Sequence, residues 1–227
     1  MIRRILLCSG LDPTGRAGLF ADVATVASLG ARAAGLATAL TAQGTRFRSE
    51  KVAAPLLRDQ LQGAIKTGPV HAVKLGMVPD RGTLLLISQL LRPLGVPVVI
   101  DPVVRSSKGE RLSSLTPRDY LEAGFHGVLT PNHEELEWFG LTPKQLLRTF
   151  TALVVKGGAS ATDQVWVGKA ARPAELRGAS LSRSASHRGT GCRFASALAV
   201  GLAQGKAPLA AARLARTAVR AYLKTSL

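Results

Sequence analysis

The chain has 227 residues, of which 46% are hydrophobic and 4% are aromatic. This length predicts one domain, residues 1–227, with a substantial core, and the hydrophobic content excludes a disordered or tail-like protein. Alanine, leucine, glycine and valine dominate. Such a composition favours helices packed on parallel strands over an aromatic-rich β-sandwich.

The formal net charge of +16 admits two interpretations. A nucleic-acid binder would cluster basic residues and interleave aromatic side chains with them. The sequence has no run of five consecutive Lys or Arg residues, and its aromatic residues do not interleave with the arginines. Nucleic-acid binding is therefore disfavoured, and we expect solvated basic faces in a protein whose ligands carry phosphate. One such stripe on the last predicted helix contains Arg213, Arg216, Arg220 and Lys224.

Cysteine usage and hydropathy predict a cytoplasmic protein. Cys8 and Cys192 form neither a disulfide framework nor a metal-type spacing, which favours a reducing compartment. The first apolar run is too short for a signal peptide. The longest apolar stretches are interrupted, for example by Arg92 and Pro93, so no membrane-spanning helix is expected.

Short β-branched runs alternate with longer helical patterns. In chain order, the pattern predicts a strand over 2–8, a helix over 18–29, a strand over 33–41, a helix over 55–66, a strand over 70–75 and a helix over 80–91 capped by Asp80. A strand over 97–101, a helix beginning over 117–122, a strand over 127–130, a helix over 133–139, a strand over 153–156 and closing helices over 189–202 and 208–223 follow. Residues 165–167 are a candidate edge strand, and the polar, basic loop over 169–188 is the best candidate for a mobile segment.

This alternation predicts an α/β fold with a mainly parallel sheet and helices on both faces. In such sheets, ligands bind at the carboxyl ends of the strands. The informative residues fall at those ends: Gly10-Leu11-Asp12, Gly76-Met77, Asp101, Asn132 and Lys156-Gly157-Gly158. We therefore expect one site along that edge of the sheet.

The clearest chemical signal is Gly189-Thr190-Gly191-Cys192 before an apolar helical run. Two glycines allow a tight turn whose N–H groups converge on an anion, and the helix adds its positive end. An ordinary glycine-rich turn is the alternative. Cys192 would lie in the first helical turn, where its thiol pKa should fall and allow it to accept a proton from a hydroxyl. The alternative is a small residue packed at a helix start.

Two acids and a lysine complete the candidate site. Asp101 ends a strand and Glu135 opens a helix, so together they could hold Mg²⁺, directly or through water. Lys156 could place a positive charge near phosphates. Each residue considered alone is more often a helix cap or a solvated surface group.

Several segments resemble the hydroxymethylpyrimidine and phosphomethylpyrimidine kinases of thiamine biosynthesis. They are SGLDPTGRAGLFADVATVASLGARAAGLATALTAQGT, AVKLGMV, VVIDPVV followed by KGERL, LTPNHEELE, VVKGG and GTGC. Singly these segments are weak or moderate signals, but they occur in the family's order across nearly the whole chain. The cysteine in GTGC also separates this branch from sugar kinases, which usually carry Asp there.

The resemblance implies a ribokinase-like three-layer α/β/α sandwich, ATP and Mg²⁺ as co-substrates, and a homodimer. It implies that Gln43 forms a hydrogen bond with the pyrimidine. It also implies that Asp22, Gly10, Met77 and Val104 line or support the pyrimidine pocket. It also implies the phosphate side: Asp101, Asn132 and Glu135 organise Mg²⁺ and phosphate, Lys156 contacts ATP, and Gly189, Gly191 and Cys192 form the anion hole. Beside these, we expect Thr190 and Arg193 as candidates for binding ATP or phosphate.

The chain departs from the family's pattern in four places. Arg188 stands where His is common, Arg193 where a small hydroxyl residue is usual, and Arg16 where glycine is usual. Residues 140–154 form a shorter stretch than expected, which predicts a truncated peripheral helix near the nucleotide. Arg193 could therefore reach the phosphoryl group, occupy the place of the terminal phosphate, or face solvent.

Three functions remain open from the sequence. The leading hypothesis is ATP-dependent phosphorylation of 4-amino-5-hydroxymethyl-2-methylpyrimidine, of its monophosphate, or of both. A pyridoxal-type vitamin kinase is the alternative within the same chemistry, since both substrates carry a hydroxymethyl group on a flat nitrogen ring. A catalytically silent relative that binds a pyrimidine or a phosphorylated ligand is the third, and the basic substitutions favour it.

Overall fold

The computed structural model describes residues 1–43, 46–106, 109–157, 162–168, 172–178 and 188–225. Nine strands form one sheet in the order β3-β2-β1-β4-β5-β6-β7-β8-β9. The strands are β1 Arg4–Leu11, β2 Arg32–Gln43, β3 Phe47–Lys51, β4 Ala72–Leu75, β5 Val98–Ile100, β6 Val128–Leu129, β7 Ala152–Val155, β8 Asp163–Val167 and β9 Ala174–Leu176. The helices are α1 Gly18–Ser28, α2 Ala54–Lys66, α3 Arg81–Leu91, α4 Pro117–Glu122, α5 His133–Phe139, α6 Pro143–Leu146, α7 Thr190–Ala203 and α8 Pro208–Thr225.

The six central strands pair in parallel. Helical crossovers join β1 to β2, β4 to β5, β5 to β6 and β6 to β7. The first strand, β1, is buried on both faces, so its sequence is a continuous apolar run. Its Leu6 packs with α2 and α3, whereas Ile5 packs with α1, α7 and α8. The predicted three-layer architecture is therefore confirmed.

Side-chain caps fix several helix starts. Asp80 accepts a hydrogen bond from the Thr83 N–H at 2.8 Å and begins α3, as its sequence position predicts. Asn132 and Glu135 form a reciprocal capping box at the start of α5. This box places both side chains directly after β6, at the carboxyl edge of the sheet.

The sheet edges differ from the sequence prediction. An unpredicted strand, β3, pairs antiparallel with β2. Residues 165–167 were expected at an edge, but β8 is interior because β9 pairs with it on its other side. The stretch over 140–154 contains the short helix α6 before β7. The loop over 169–188, apart from residues 172–178 and Arg188, lies outside the described part of the chain.

The last helix corrects one expectation about its basic stripe. Arg213 is exposed, as predicted. Arg216 instead forms an ion pair with Asp163 at 2.7 Å and donates to the Leu176 carbonyl at 2.6 Å, which ties α8 to β8 and β9. This arginine was wrongly assigned to a solvated face because its partners come from distant strands.

Within the described ranges, no helix is both long enough and apolar enough to span a bilayer.

Candidate functional site

The carboxyl ends of the parallel strands open into a cavity of ≈ 810 Å³, a volume suited to a small molecule. Most of the predicted residues line it: Gly10, Gln43, Met77, Asp101, Val104, Asn132, Glu135, Lys156, Gly189, Thr190, Gly191 and Cys192. Two predicted residues, Asp22 and Arg193, are not part of the lining. Gly44, Lys108 and Gly158, which belong to the motifs above, lie outside the described residues.

A tight turn leads into α7 at one wall of the cavity. Gly189 has φ 77°, a left-handed conformation, and a Cβ there would lie 2.0 Å from the Arg16 carbonyl oxygen. A Cβ on Gly191 would lie 3.2 Å from the Lys156 ammonium. Glycine at both positions therefore lets the backbone N–H groups at the start of α7 approach a ligand next to a positive charge.

The charged groups at this wall form one cluster. Lys156 lies 2.6 Å from Asp101 and 3.8 Å from Glu135. Burial alone would lower the pKa of Lys156, but the two carboxylates outweigh it and raise that pKa, so the ammonium stays charged. Burial raises the pKa of Glu135, and Asp101 adds to this rise against the opposing Lys156. The second oxygen of Asp101, Oδ2, is buried and has no hydrogen-bond partner among the described residues.

The environment of Cys192 contradicts the expected depression of its pKa. Although Cys192 lines the cavity, burial of its thiol raises the pKa to about 11, and the Asp22 and Asp101 carboxylates add to this effect. Lys74 and the Gly18 N–H act in the opposite direction but are weaker. A helix start was expected to favour the thiolate; desolvation outweighs it. Cys192 is therefore a thiol at neutral pH.

A buried ion pair lies beneath the site. Lys74 and Asp22 are both fully buried, with Nζ and Oδ2 2.7 Å apart, and Ser196 donates to the other Asp22 oxygen at 2.8 Å. Burial raises the pKa of Asp22, whereas the pKa of Lys74 is raised by its carboxylate neighbours despite burial. The lysine ammonium holds the shared proton. Lys74 was not among the predicted site residues. The only indication of its role in the sequence is its position in the segment AVKLGMV.

Gly10 and Met77, which both line the cavity, form a close contact. A Cβ on Gly10 would lie 2.7 Å from the Met77 sulfur. Arg188, Gln43 and Asp12 meet nearby: the arginine donates to the Gln43 amide oxygen and lies 3.6 Å from the Asp12 carboxylate. These residues line the cavity and give it both polar and apolar groups.

Arg193 takes none of the three positions considered for it. Its guanidinium donates to the Arg16 carbonyl at 2.8 Å and packs 3.7 Å above the centre of the Tyr222 ring. It is buried and lies outside the cavity lining. The geometry supports a tie between α7, α8 and the loop before α1.

Comparison with known proteins identifies a family and several relatives of this chain. The model of the family described as phosphomethylpyrimidine kinase matches residues 12–227. A hydroxymethylpyrimidine/phosphomethylpyrimidine kinase of Rhizobium meliloti is 33% identical, with 98% of this chain and 89% of that protein covered. A probable thiamine biosynthetic bifunctional enzyme of Oryza sativa is 32% identical over 98% of this chain, which spans only 44% of the rice protein.

Solved structures agree with the fold. A Staphylococcus aureus pyridoxal kinase in complex with pyridoxal superposes with a TM-score of 0.84 at 21% identity, covering 97% of this chain and 87% of that one. A Clostridium difficile phosphomethylpyrimidine kinase superposes with a TM-score of 0.77 at 25% identity, covering 98% and 100%. The fold is ribokinase-like, as expected. The family match, the relatives and the fold agree: this chain belongs to the phosphomethylpyrimidine kinase family.

Proposed function

We propose that the protein transfers the γ-phosphoryl group of ATP to 4-amino-5-hydroxymethyl-2-methylpyrimidine, to its monophosphate, or to both, in thiamine biosynthesis. One observation carries the proposal. The glycine turn at the start of α7 and the Lys156–Asp101 pair line the same cavity as Gln43 and Met77, which supply polar and apolar contacts for a ring. Family membership supports the same reaction.

The reaction requires positioning and charge stabilisation more than a strong base. The attacking atom is the hydroxymethyl oxygen of the alcohol or a phosphate oxygen of the monophosphate. It attacks the γ-phosphorus, the bond from that phosphorus to the bridging oxygen breaks, and ADP leaves with the electron pair. Lys156 and the N–H groups of Gly191 and Cys192 offset negative charge on the transferring group. The Cys192 thiol is protonated in the free site, so the hydroxyl proton passes to solvent or phosphate oxygen as transfer completes.

The cluster of Asp101, Glu135 and Lys156 fits Mg²⁺. The buried Asp101 Oδ2 lacks a partner among the described residues, and carboxylate oxygen is the ligand that this cation prefers. No group of three or more His, Cys, Asp or Glu side chains able to hold a metal occurs in the described ranges. Asp101 and Glu135 would therefore share the ion with phosphate oxygens, and the ion would neutralise phosphate charge.

An ADP-release assay tests the proposal. Purified protein is given ATP and Mg²⁺ with the hydroxymethylpyrimidine, its monophosphate or pyridoxal. We expect one or both pyrimidines to support turnover and Lys156→Met to lower it strongly. Arg213→Gln, which removes an exposed charge far from the cavity lining, is the matched control and should retain wild-type turnover.

Two alternatives are separated by the same assay. Turnover with pyridoxal alone would favour a pyridoxal-type kinase; such kinases share the fold of this chain. No turnover with any substrate, together with pyrimidine binding by calorimetry, would favour a silent relative.

We further propose that residues 1–227 form a single domain and that the protein is a homodimer. Light scattering after gel filtration should give twice the chain mass of 23.8 kDa. A monomer at assay concentration would contradict the dimer.

A further inference from the structure

A chain of hydrogen bonds links Arg188, Gln43 and Thr41, which all line the cavity. Arg188 donates to the Gln43 oxygen, the Gln43 amide nitrogen donates to the Thr41 hydroxyl at 3.1 Å, and Thr41 donates to the Leu11 carbonyl at 2.9 Å. Each group donates in the same direction, away from Arg188. The orientation of the Gln43 amide is therefore fixed by two partners.

This chain limits what Gln43 can recognise. An amide normally offers one acceptor and one donor to an aminopyrimidine edge. Here the Gln43 oxygen already accepts from a cationic guanidinium. A substrate amine at the same oxygen would place a second, partly positive donor beside that cation. The Gln43 oxygen has a second lone pair, but a carboxylate oxygen that accepts no hydrogen bond is the better acceptor for an exocyclic amine.

Asp12 supplies such an acceptor. Its Oδ1 accepts from the Thr14 N–H at 3.0 Å and from the Thr14 hydroxyl at 2.9 Å, which fixes the carboxylate plane. Its Oδ2 pairs in charge with Arg188 at 3.6 Å but accepts no hydrogen bond among the described residues. It is buried, since Asp12 lines the cavity and is only 1% exposed. A buried carboxylate oxygen in this state is completed by a donor from a ligand.

Arg188 supplies the neighbouring donor. Its side chain is 13% exposed, lies 3.6 Å from Asp12 Oδ2 and lines the cavity. Its Nε is buried and, among the described residues, has no hydrogen-bond partner. Two oppositely charged residues that lie close together in the cavity thus each have an atom without a hydrogen bond among the described residues. Asp12 Oδ2 can accept one, and Arg188 Nε can donate one.

We propose that Asp12 and Arg188 recognise the polar edge of the substrate ring, with Asp12 Oδ2 accepting from an exocyclic amine and Arg188 donating to the adjacent ring nitrogen. Gln43 positions Arg188 and is not the acceptor. This inference rests on the proposed function for the identity of the ring. It assigns specificity to two residues for which the sequence suggested only a strand-end position and a departure from the family pattern.

Replacing the amine by a carbonyl exchanges the hydrogen-bond donor and acceptor on the polar edge of the ring. The 4-oxo analogue, 5-hydroxymethyl-2-methylpyrimidin-4-one, presents an acceptor where the amine donates and a ring N–H where the nitrogen accepts. Against this analogue, Asp12 would face an oxygen and Arg188 an N–H. Binding of both compounds is measured by titration calorimetry without ATP, so the result does not depend on turnover.

The wild-type protein should bind the amino compound about tenfold to a hundredfold more tightly than the oxo analogue. Asp12→Asn leaves an oxygen for Thr14 but turns the second acceptor into a donor, so the preference should vanish or invert. Arg188→Gln should weaken binding of the amino compound about tenfold. Arg213→Gln removes an equal charge from an exposed residue outside the cavity lining and should leave both affinities unchanged.

The outcomes separate this inference from the proposed function. If both variants keep the wild-type ratio of affinities, or if wild type prefers the oxo analogue, the inference is overturned even when the enzyme is active. If the wild type binds with the expected preference but releases no ADP, the proposed function fails and the inference stands. Should Asp12→Asn not fold by circular dichroism, the comparison of Arg188→Gln with Arg213→Gln decides.

Discussion

At the scale of single residues, Cys192 shows how burial changes a prediction made from sequence position. A cysteine in the first turn of a helix normally has a lowered pKa. The thiol instead sits over the buried Lys74–Asp22 pair, and desolvation raises its pKa to about 11. Desolvation depends on what covers a residue, which the sequence does not specify.

This pKa can be measured directly. Thiolate absorbance near 240 nm should show no cysteine titrating near the free value of roughly 8.5. The Cys192 transition should centre at about 11, and Cys8, whose pKa burial raises to about 12, should follow it. The Cys192→Ala variant identifies which transition is lost. A Cys192 midpoint at or below the free value would contradict this assignment.

The same protonation state sets an expectation for catalysis. If Cys192 were the general base, its loss would cost on the order of 10² or more in turnover. Because the thiol is protonated in the free site, we expect Cys192→Ala to lower kcat by less than about tenfold. A steady-state assay with an unchanged melting temperature checks this. A hundredfold loss in a folded variant would restore the base assignment.

Asp101 and Glu135 can be tested through the metal requirement. Asp101→Asn removes the negative charge that pairs with Lys156 at 2.6 Å. It also makes the group at the Oδ2 position a weaker cation ligand. We expect the Mg²⁺ concentration for half-maximal rate to rise about tenfold, with smaller effects on pyrimidine affinity. Glu135→Gln should act in the same direction. Mg²⁺ titrations that match wild type for both variants would remove the metal assignment.

At the scale of elements, Arg193 connects three of them. It lies in α7, packs on Tyr222 of α8 and donates to the Arg16 carbonyl before α1. These contacts hold the turn at Gly189, whose carbonyl also accepts from Arg193 at 3.4 Å. The sequence placed Arg193 near phosphate because it follows Cys192; a step of one residue turns about 100° around a helix, here towards α8.

Arg193→Thr should therefore act mainly on stability. Loss of the buried hydrogen bond and the stacking contact should lower the free energy of unfolding by about 1–3 kcal/mol. Urea unfolding measures this, with Arg213→Gln as an exposed control in α8 that should stay near wild type. An Arg193→Thr variant of wild-type stability with a strongly altered ATP KM would favour phosphate contact instead.

Predictability also varies among elements. The buried strands and the capped helices were found because their hydrophobic period and caps are local. The strand β3, FRSEK, has four exposed residues of five and reads as a polar loop. It forms because β2 offers an unpaired edge. The contact between Arg188 and Gln43 spans 145 residues of sequence, so no local pattern could suggest it.

At the scale of the whole molecule, the net charge of +16 is spread over the surface and the cavity. Basic side chains are drawn into the interior at Lys74, Lys156 and Arg216, each against a carboxylate. Much of the remaining charge is solvated, which suits a protein that attracts phosphorylated ligands.

This distribution predicts weak, non-specific DNA binding at most. Random duplex DNA should be released by about 0.1–0.2 M salt, since an incidental basic surface forms few phosphate contacts. Fluorescence anisotropy at increasing salt measures it. Retention at higher salt would favour a nucleic-acid role.

The central claim is that the γ-phosphoryl group of ATP is transferred to the hydroxymethyl oxygen of a pyrimidine, or to a phosphate oxygen of its monophosphate. Its most direct test is mass spectrometry and ³¹P NMR of the product formed from ATP, Mg²⁺ and 4-amino-5-hydroxymethyl-2-methylpyrimidine or its monophosphate. We expect one added phosphoryl group, on the hydroxymethyl oxygen of the alcohol or on the phosphate of the monophosphate, with ADP in equal amount. ADP accompanied only by inorganic phosphate, or no ADP with either substrate, would contradict it.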